Sequence, residues 1–195
     1  MIESGIDPRV LRTQRALIEA LKRLVEKKPF SKLSIKEITA EAGVDRTTFY
    51  LHFHGIHELM DALALDLFAE LHQAIYCRDQ SEFSQKSEDL KDYVEIVFIH
   101  LEKHRAFYRS VLSNKGDPYF KDLFQAMLSE LLFKPMAASL HFQADSSSEL
   151  IICFYVSGFT GITAWWLEKN IPIDARKASK EISEKILPGY LQLLG

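Results

Sequence analysis

Between Asp45 and His54 the chain gathers Arg46, Thr47, Thr48, Tyr50, Leu51, His52 and His54, with no carboxylate after Asp45. A guanidinium, hydroxyls and imidazoles are groups suited to a DNA duplex. Arg46 has the fork that matches O6 and N7 of guanine, Thr47 and Thr48 suit base edges or phosphates, and Leu51 suits a thymine methyl. Tyr50, His52 and His54 have the reach and donors for phosphate oxygens, contacts that set register without reading sequence. Upstream, the backbone amides of Ser34 and Ile35 stand at a helix start and offer a further phosphate site.

A second pair, His100 and His104, lies one helical turn apart and with a third donor such as His72 could hold a metal. It is the basis of an alternative reading, a metal-dependent helical hydrolase. The pair is more readily explained as core or solvated histidines. No glycine-rich phosphate cradle, nucleophile turn or paired catalytic carboxylates accompany it. No metal, cofactor or catalytic residue is therefore assigned.

Positioning the first cluster requires three helices. From about Arg9 to Lys28, apolar Leu17, Leu21, Leu24 and Val25 recur at helical spacing, and Pro29 stops the pattern. Ser34 stands three residues before Glu37, the pairing in which hydroxyl and carboxylate reciprocally satisfy free amides at a helix start. Ile35, Ile38 and Ala42 line the inner face of that second helix, Gly43 ends it, and Asp45 caps the next. At 100° per residue, Phe49 and Phe53 face inward while Thr47, Tyr50, Leu51 and His54 face out, flanked by Arg46, Thr48 and His52. A helix this short holds its shape only by packing on its neighbours. Two-helix corners also occur in ordinary helical cores, so spacing alone leaves both readings open.

After Gly55, a helix from His57 to about Arg78 places Leu59, Leu63, Leu67, Leu71 and Ile75 on one side and joins the two regions. RDQSEFSQKSED reads as a loop. Further helices are expected over Leu90–Arg105 and Phe107–Ser113, and from Asp117 and Pro118, as cap and first residue, through Leu131 to a kink or end at Pro135. Two more run from about Leu150 to Glu168 and from about Ala175 to Leu193, the last bent or interrupted at Pro188. Tyr93, Phe107, Tyr108, Phe120 and Phe124 form an aromatic stripe of the kind usual in cores.

LIICFYVSGFTGITAWWL, Leu150 to Leu167, has no charge over eighteen residues. That length only just reaches a membrane span, and Ser157, Gly158, Thr160, Gly161 and Thr163 dilute it. Burial within an oligomer is the reading preferred, with Ser157 and Gly161 permitting close backbone approach.

Composition fits a soluble helical protein and excludes disorder: of 195 residues, 47% are apolar, 26% are charged, and only 8 are Gly and 6 Pro. Residues 1–55 carry a net charge of +3 and residues 56–195 a net of −6, which suggests two regions with different partners. Cys77 and Cys153 sit in apolar surroundings and read as small core residues. No secretory leader precedes the first amphipathic segment, so a cytoplasmic location is expected.

The run LSIKEITAEAGVDRTTFYLHF, with HELMDAL after it, closely resembles the N-terminal DNA-binding domain of the Tet repressor family of bacterial regulators. The likeness covers about residues 10 to 65 and fixes the Ile-Thr-Ala-Gly-Val framework, Phe49-Tyr50 and His52-Phe53 in one register. It implies a recognition helix over about Asp45–His54 that contacts DNA through Arg46, Thr47, Thr48, Tyr50, Leu51 and His52. One departure stands out: family members place a lysine early in the following helix to meet a phosphate, and Ile56 occupies that position here. His54, His57 or backbone amides are left to supply the contact. GFTGITAWWLEKN resembles the C-terminal domain of Firmicutes members.

The resemblance implies an all-α homodimer whose last two helices form a four-helix interface. Residues 1–55 are expected to be a helix-turn-helix DNA-binding domain, and residues 56–195 a helical dimerisation and ligand-sensing domain. The partners expected are double-stranded operator DNA of palindromic sequence, a second copy of the chain and a small-molecule effector, with no membrane. A cytoplasmic transcriptional repressor is the function implied.

Overall fold

Asp7 accepts a hydrogen bond from the Arg9 backbone N–H at 2.9 Å and precedes Pro8, which has no amide to satisfy, so α1 (Pro8–Lys27) starts sharply. The computed structural model describes residues 7–76, 87–113, 116–134, 146–169, 173–186 and 188–189. Leu17, Ala20, Leu21 and Val25 form the buried face of α1. After Pro29 a single 3₁₀ turn (Phe30–Lys32) inserts Phe30 into the core, an element that the sequence pattern did not reveal.

Ser34 and Glu37 close the expected capping box on α2 (Ile35–Ala42), and Gly43 ends it with φ +70°. That left-handed conformation is open to glycine and strained for other residues. It lets the Val44 N–H reach back to the Thr39 carbonyl at 3.0 Å and turns the chain into α3 (Arg46–His52). Helices α1, α2 and α3 close around Leu17, Leu21, Ile38 and Phe49, all fully buried.

The long α4 (Ile56–Tyr76) packs against α1 and against the C-terminal helices that follow it. Leu59, Leu63, Leu67, Leu71 and Ile75 are buried along it as the spacing predicted. Helix α5 (Ser87–Lys103) breaks at His104 into α6 (Arg105–Leu112). Helix α7 (Pro118–Leu128) is capped by Asp117 and runs on as a π-helical turn over Ser129–Phe133. Helix α8 (Ser146–Glu168) crosses α6 and α7, and α9 (Ala175–Lys185) lies along α5. The fold is all-α, with no strand among the described residues.

The aromatic stripe is core: Phe107, Tyr108, Phe120 and Phe124 are fully buried and meet ring to ring. Several expectations need correction. Cys153 is exposed, because α8 turns it outward and buries Val156, Phe159, Thr160 and Thr163 instead. Helix α8 starts at Ser146, four residues earlier than predicted. The loop expected over Arg78–Asp89 gives way to helix at Ser87; its earlier part, with Cys77 and Pro135, lies outside the described residues. Helix α9 ends at Lys185, and most of its expected continuation also lies outside them.

Candidate nucleic-acid interface

Two anchors and a cap hold α3 in place. Phe49 and Phe53 are buried, and the Asp45 carboxylate accepts the Thr48 backbone N–H at 2.7 Å and its hydroxyl at 3.1 Å. Those Thr48 bonds hold Asp45 below the usual carboxylate range, so the cap stays ionised. They also commit the Thr48 hydroxyl to the cap and leave Thr48 half-buried.

The remaining α3 residues form the outward face. Arg46, Thr47, Tyr50 and Leu51 are exposed, and His52 is half-buried beside them. Leu51 is 76% exposed, an apolar side chain held away from the core on a rigid scaffold. Arg46 donates to the Tyr50 hydroxyl at 3.2 Å with its guanidinium over the ring, so this pair is arranged before any ligand arrives.

The edges of this face differ from expectation. His54 donates its backbone N–H to Glu58 and places Nδ1 2.8 Å from the same carboxylate, so an acidic group borders the outward set. Glu58 is held below its ordinary range, first by the backbone bond from His54. The His54 ring is nonetheless 95% exposed. His57 takes a different place: its ring meets Phe30 and Tyr119 edge-on and lies 3.7 Å from Asp117. Ile56 is half-buried against the core.

At the start of α2, the Ser34 amide is committed to the Glu37 carboxylate at 3.1 Å. Hydrogen bonding from Lys28 and then Ser34 lowers the Glu37 pKa. The Ile35 amide in the first turn remains directed out of the helix, with the Ile35 side chain packed inward. Lys36 is exposed at the second position of the same turn. Sequence reasoning passed over it, although its position in the first turn was the available signal.

His100 and His104 are both buried, and Glu70 joins them where His72 was expected. His72 instead stacks on Tyr76, ring centroids 4.1 Å apart. A separate cavity of about 790 Å³ lies between α4 and α7, with Ala64, Phe68, Leu123 and Met127 as apolar walls and Asp61, His72 and Tyr119 as polar groups. The Tyr119 hydroxyl donates to Asp61 at 2.6 Å across it, joining the two helices.

Comparison with known proteins identifies this architecture. Residues 17–63 match the family model for bacterial regulatory proteins of the tetR family, and residues 88–187 match the one for a transcriptional regulator C-terminal region. The uncharacterized HTH-type transcriptional regulator YxbF of Bacillus subtilis is 26% identical over 175 residues, which are 86% of this chain and 42% of that protein. This chain thus aligns with less than half of YxbF. The HTH-type dhaKLM operon transcriptional activator DhaS of Lactococcus lactis is 22% identical over 153 residues, 77% of each chain. Among solved structures, a TetR transcriptional regulator from Streptococcus agalactiae shares the fold at TM-score 0.70 and 22% identity, over 96% of both chains. With a corner of two helices presenting α3 and both family regions matched, the chain belongs to the tetR family of bacterial regulators and is a DNA-binding transcriptional regulator.

Proposed function

We propose that the chain is a cytoplasmic, ligand-responsive repressor that binds a palindromic operator as a homodimer. The outward face of α3 carries this reading. Arg46, Thr47, Tyr50 and Leu51 stand exposed on a helix anchored by Phe49 and Phe53, the arrangement that fits a major groove. His52, His54, the Ile35 amide and Lys36 flank it as phosphate contacts, whereas Thr48 and Ser34 contribute mainly by shaping helix starts. Residues 1–55 supply the DNA contacts in this reading and residues 56–195 the dimerisation and sensing, with α4 joining the two.

Dimerisation rests on α8. Leu150 and Phe154, 72% and 70% exposed, continue through Ser157, Gly158 and Gly161 to Trp165 along one face, while the opposite face is packed in the bundle. Added Cβ atoms at Gly158 or Gly161 would meet nothing within the chain, so both leave room for a second backbone. A partner copy covering α8 buries this stripe, with the charged outer face of α9 joining the contact in this reading. By length and composition α8 could also cross a membrane; its packing on α6 and α7 favours the dimer.

The cavity between α4 and α7 is of the size that takes a small organic ligand. A ligand that binds better in one spacing of the two α3 helices shifts the population and changes DNA affinity. Repression then requires only that the bound dimer cover the promoter. DNase footprinting on DNA flanking the chain's own gene, paired with transcription in vitro, tests this. Two protected half-sites about one helical turn apart, or a multiple of it, with reduced transcript are expected. No protection sinks the DNA contacts proposed, and raised transcript sinks repression.

A further inference from the structure

Away from the α3 face, three side chains from distant stretches of sequence converge inside the protein. Glu70 in α4, His100 in the last turn of α5 and His104 at the α5–α6 corner each present one ligand atom, all within 4.8 Å of one another. Glu70 Oε1 lies 3.2 Å from His104 Nε2 and 3.5 Å from His100 Nδ1. Ligand atoms about 2.1 Å from one ion stand roughly 3.0 Å apart at octahedral corners and roughly 3.4 Å apart at tetrahedral ones. The two separations from Glu70 lie close to that range, and the ligand nitrogens of His100 and His104 stand within 4.8 Å of each other.

The donor set is two imidazoles and one carboxylate, with His100 and His104 both buried and Glu70 on the more open side. The ligands are also oriented from behind. His100 Nε2 is 2.9 Å from the hydroxyl of the buried Tyr108, and Lys103 Nζ lies 2.7 Å from Glu70 Oε1, so an ion held by that oxygen displaces the ammonium. Partners of this kind fix the ring orientation of metal-bound histidines.

We propose that Glu70, His100 and His104 bind one divalent transition-metal ion per chain, of the zinc, cobalt or nickel class, with water completing its coordination. Two imidazoles and one carboxylate suit these ions, whereas calcium and magnesium prefer all-oxygen sites. The ion would tie α4 to the α5–α6 corner, and α4 and α6 both pack on α1 of the DNA-binding region. The binding site itself does not depend on the DNA reading.

The test uses full-length, untagged protein freed of metal by chelation, titrated with Co(II) as a spectroscopic probe and then with Zn(II) in competition. One Co(II) per chain is expected, with visible bands of a nitrogen and oxygen site that Zn(II) abolishes, and a Tm that rises with Zn(II). Glu70→Gln and His104→Gln are expected to weaken binding at least about tenfold, while His72→Gln, outside the cluster, leaves it unchanged. Ring ¹⁵N–¹H spectra of the wild-type histidines give a readout that needs no variant: two rings are expected to shift on adding Zn(II). Substoichiometric Co(II), equal binding by folded Glu70→Gln and His104→Gln proteins, or shifts confined to other rings would overturn the assignment.

Discussion

The Arg46 guanidinium carbon lies 5.5 Å from the centre of the Tyr50 ring, and its Nη2 lies 3.2 Å from the Tyr50 hydroxyl. These residues are one turn apart on α3, so the contact holds Arg46 near one arrangement on an otherwise solvated face. Less side-chain freedom then remains to be lost on binding DNA. Tyr50→Phe retains the ring under Arg46 and removes the hydroxyl, and about 1 kcal/mol of DNA affinity should be lost. Tyr50→Ala removes both and should cost more. Fluorescence anisotropy with an operator fragment measures the order, and equal losses would count against a role for the ring.

Gly43 sets the angle between α2 and α3. A Cβ there meets nothing within 4 Å, so Gly43→Ala isolates the cost of φ +70° from any steric clash. A destabilisation of about 1 kcal/mol is expected in urea unfolding. Gly43→Asn should cost less, since asparagine tolerates this conformation better. A neutral Gly43→Ala would mean that the corner relaxes freely.

Much of the head was legible because its signals are local. Ser34 with Glu37, Gly43, Asp45 and the Phe49–Phe53 pair act over two to five residues, within the range that a sequence pattern reports. The missed features depend on contacts between distant segments. Glu70 reaches His104 across 34 positions, and nothing near His100 announced it over His72. Glu58 was visible, but its bond to His54 depends on how the chain turns at Gly55. Cys153 is exposed although the sequence places it in the core, because the two faces of its apolar helix differ only in what packs on them. The aromatic stripe was read correctly as core for the opposite reason, since large rings at helical spacing have few other places to go.

The buried histidine gives stability a defined pH dependence. His100 is lowered to about 4, chiefly by burial, against an ordinary 6.5. Between those values the unfolded chain binds a proton that the folded chain does not, so stability rises with pH across that window and falls on acidification. Glu70 acts in the same direction lower down: held at about 2, its contribution is present above 4.5 and is lost as pH falls toward 2. In metal-free protein, His100→Gln should flatten the urea midpoint between pH 6.5 and 4, where this group alone contributes up to roughly 1.4 kcal/mol per pH unit. An unchanged slope would show that His100 is not kept neutral.

Phe154 tests the dimer surface. It is 70% exposed in the single chain and lies mid-stripe on α8, so Phe154→Asp should place a charge in the interface without disturbing the core. Light scattering after size exclusion should show a shift toward monomer, with helical content retained. Operator affinity should fall as well, since one α3 reads too few base pairs. A dimer of unchanged strength would remove α8 from the interface.

Operator affinity of the wild-type dimer, compared with Arg46→Ala and Thr47→Ala across a range of salt, bears most directly on α3 as the element that reads DNA. Arg46→Ala should cost about 1–3 kcal/mol and narrow the gap between operator and unrelated DNA at each salt concentration, Thr47→Ala should weaken binding by less, and both proteins should remain dimeric. Wild-type affinity in both variants, with an unaltered preference for operator, would contradict the role given to this helix.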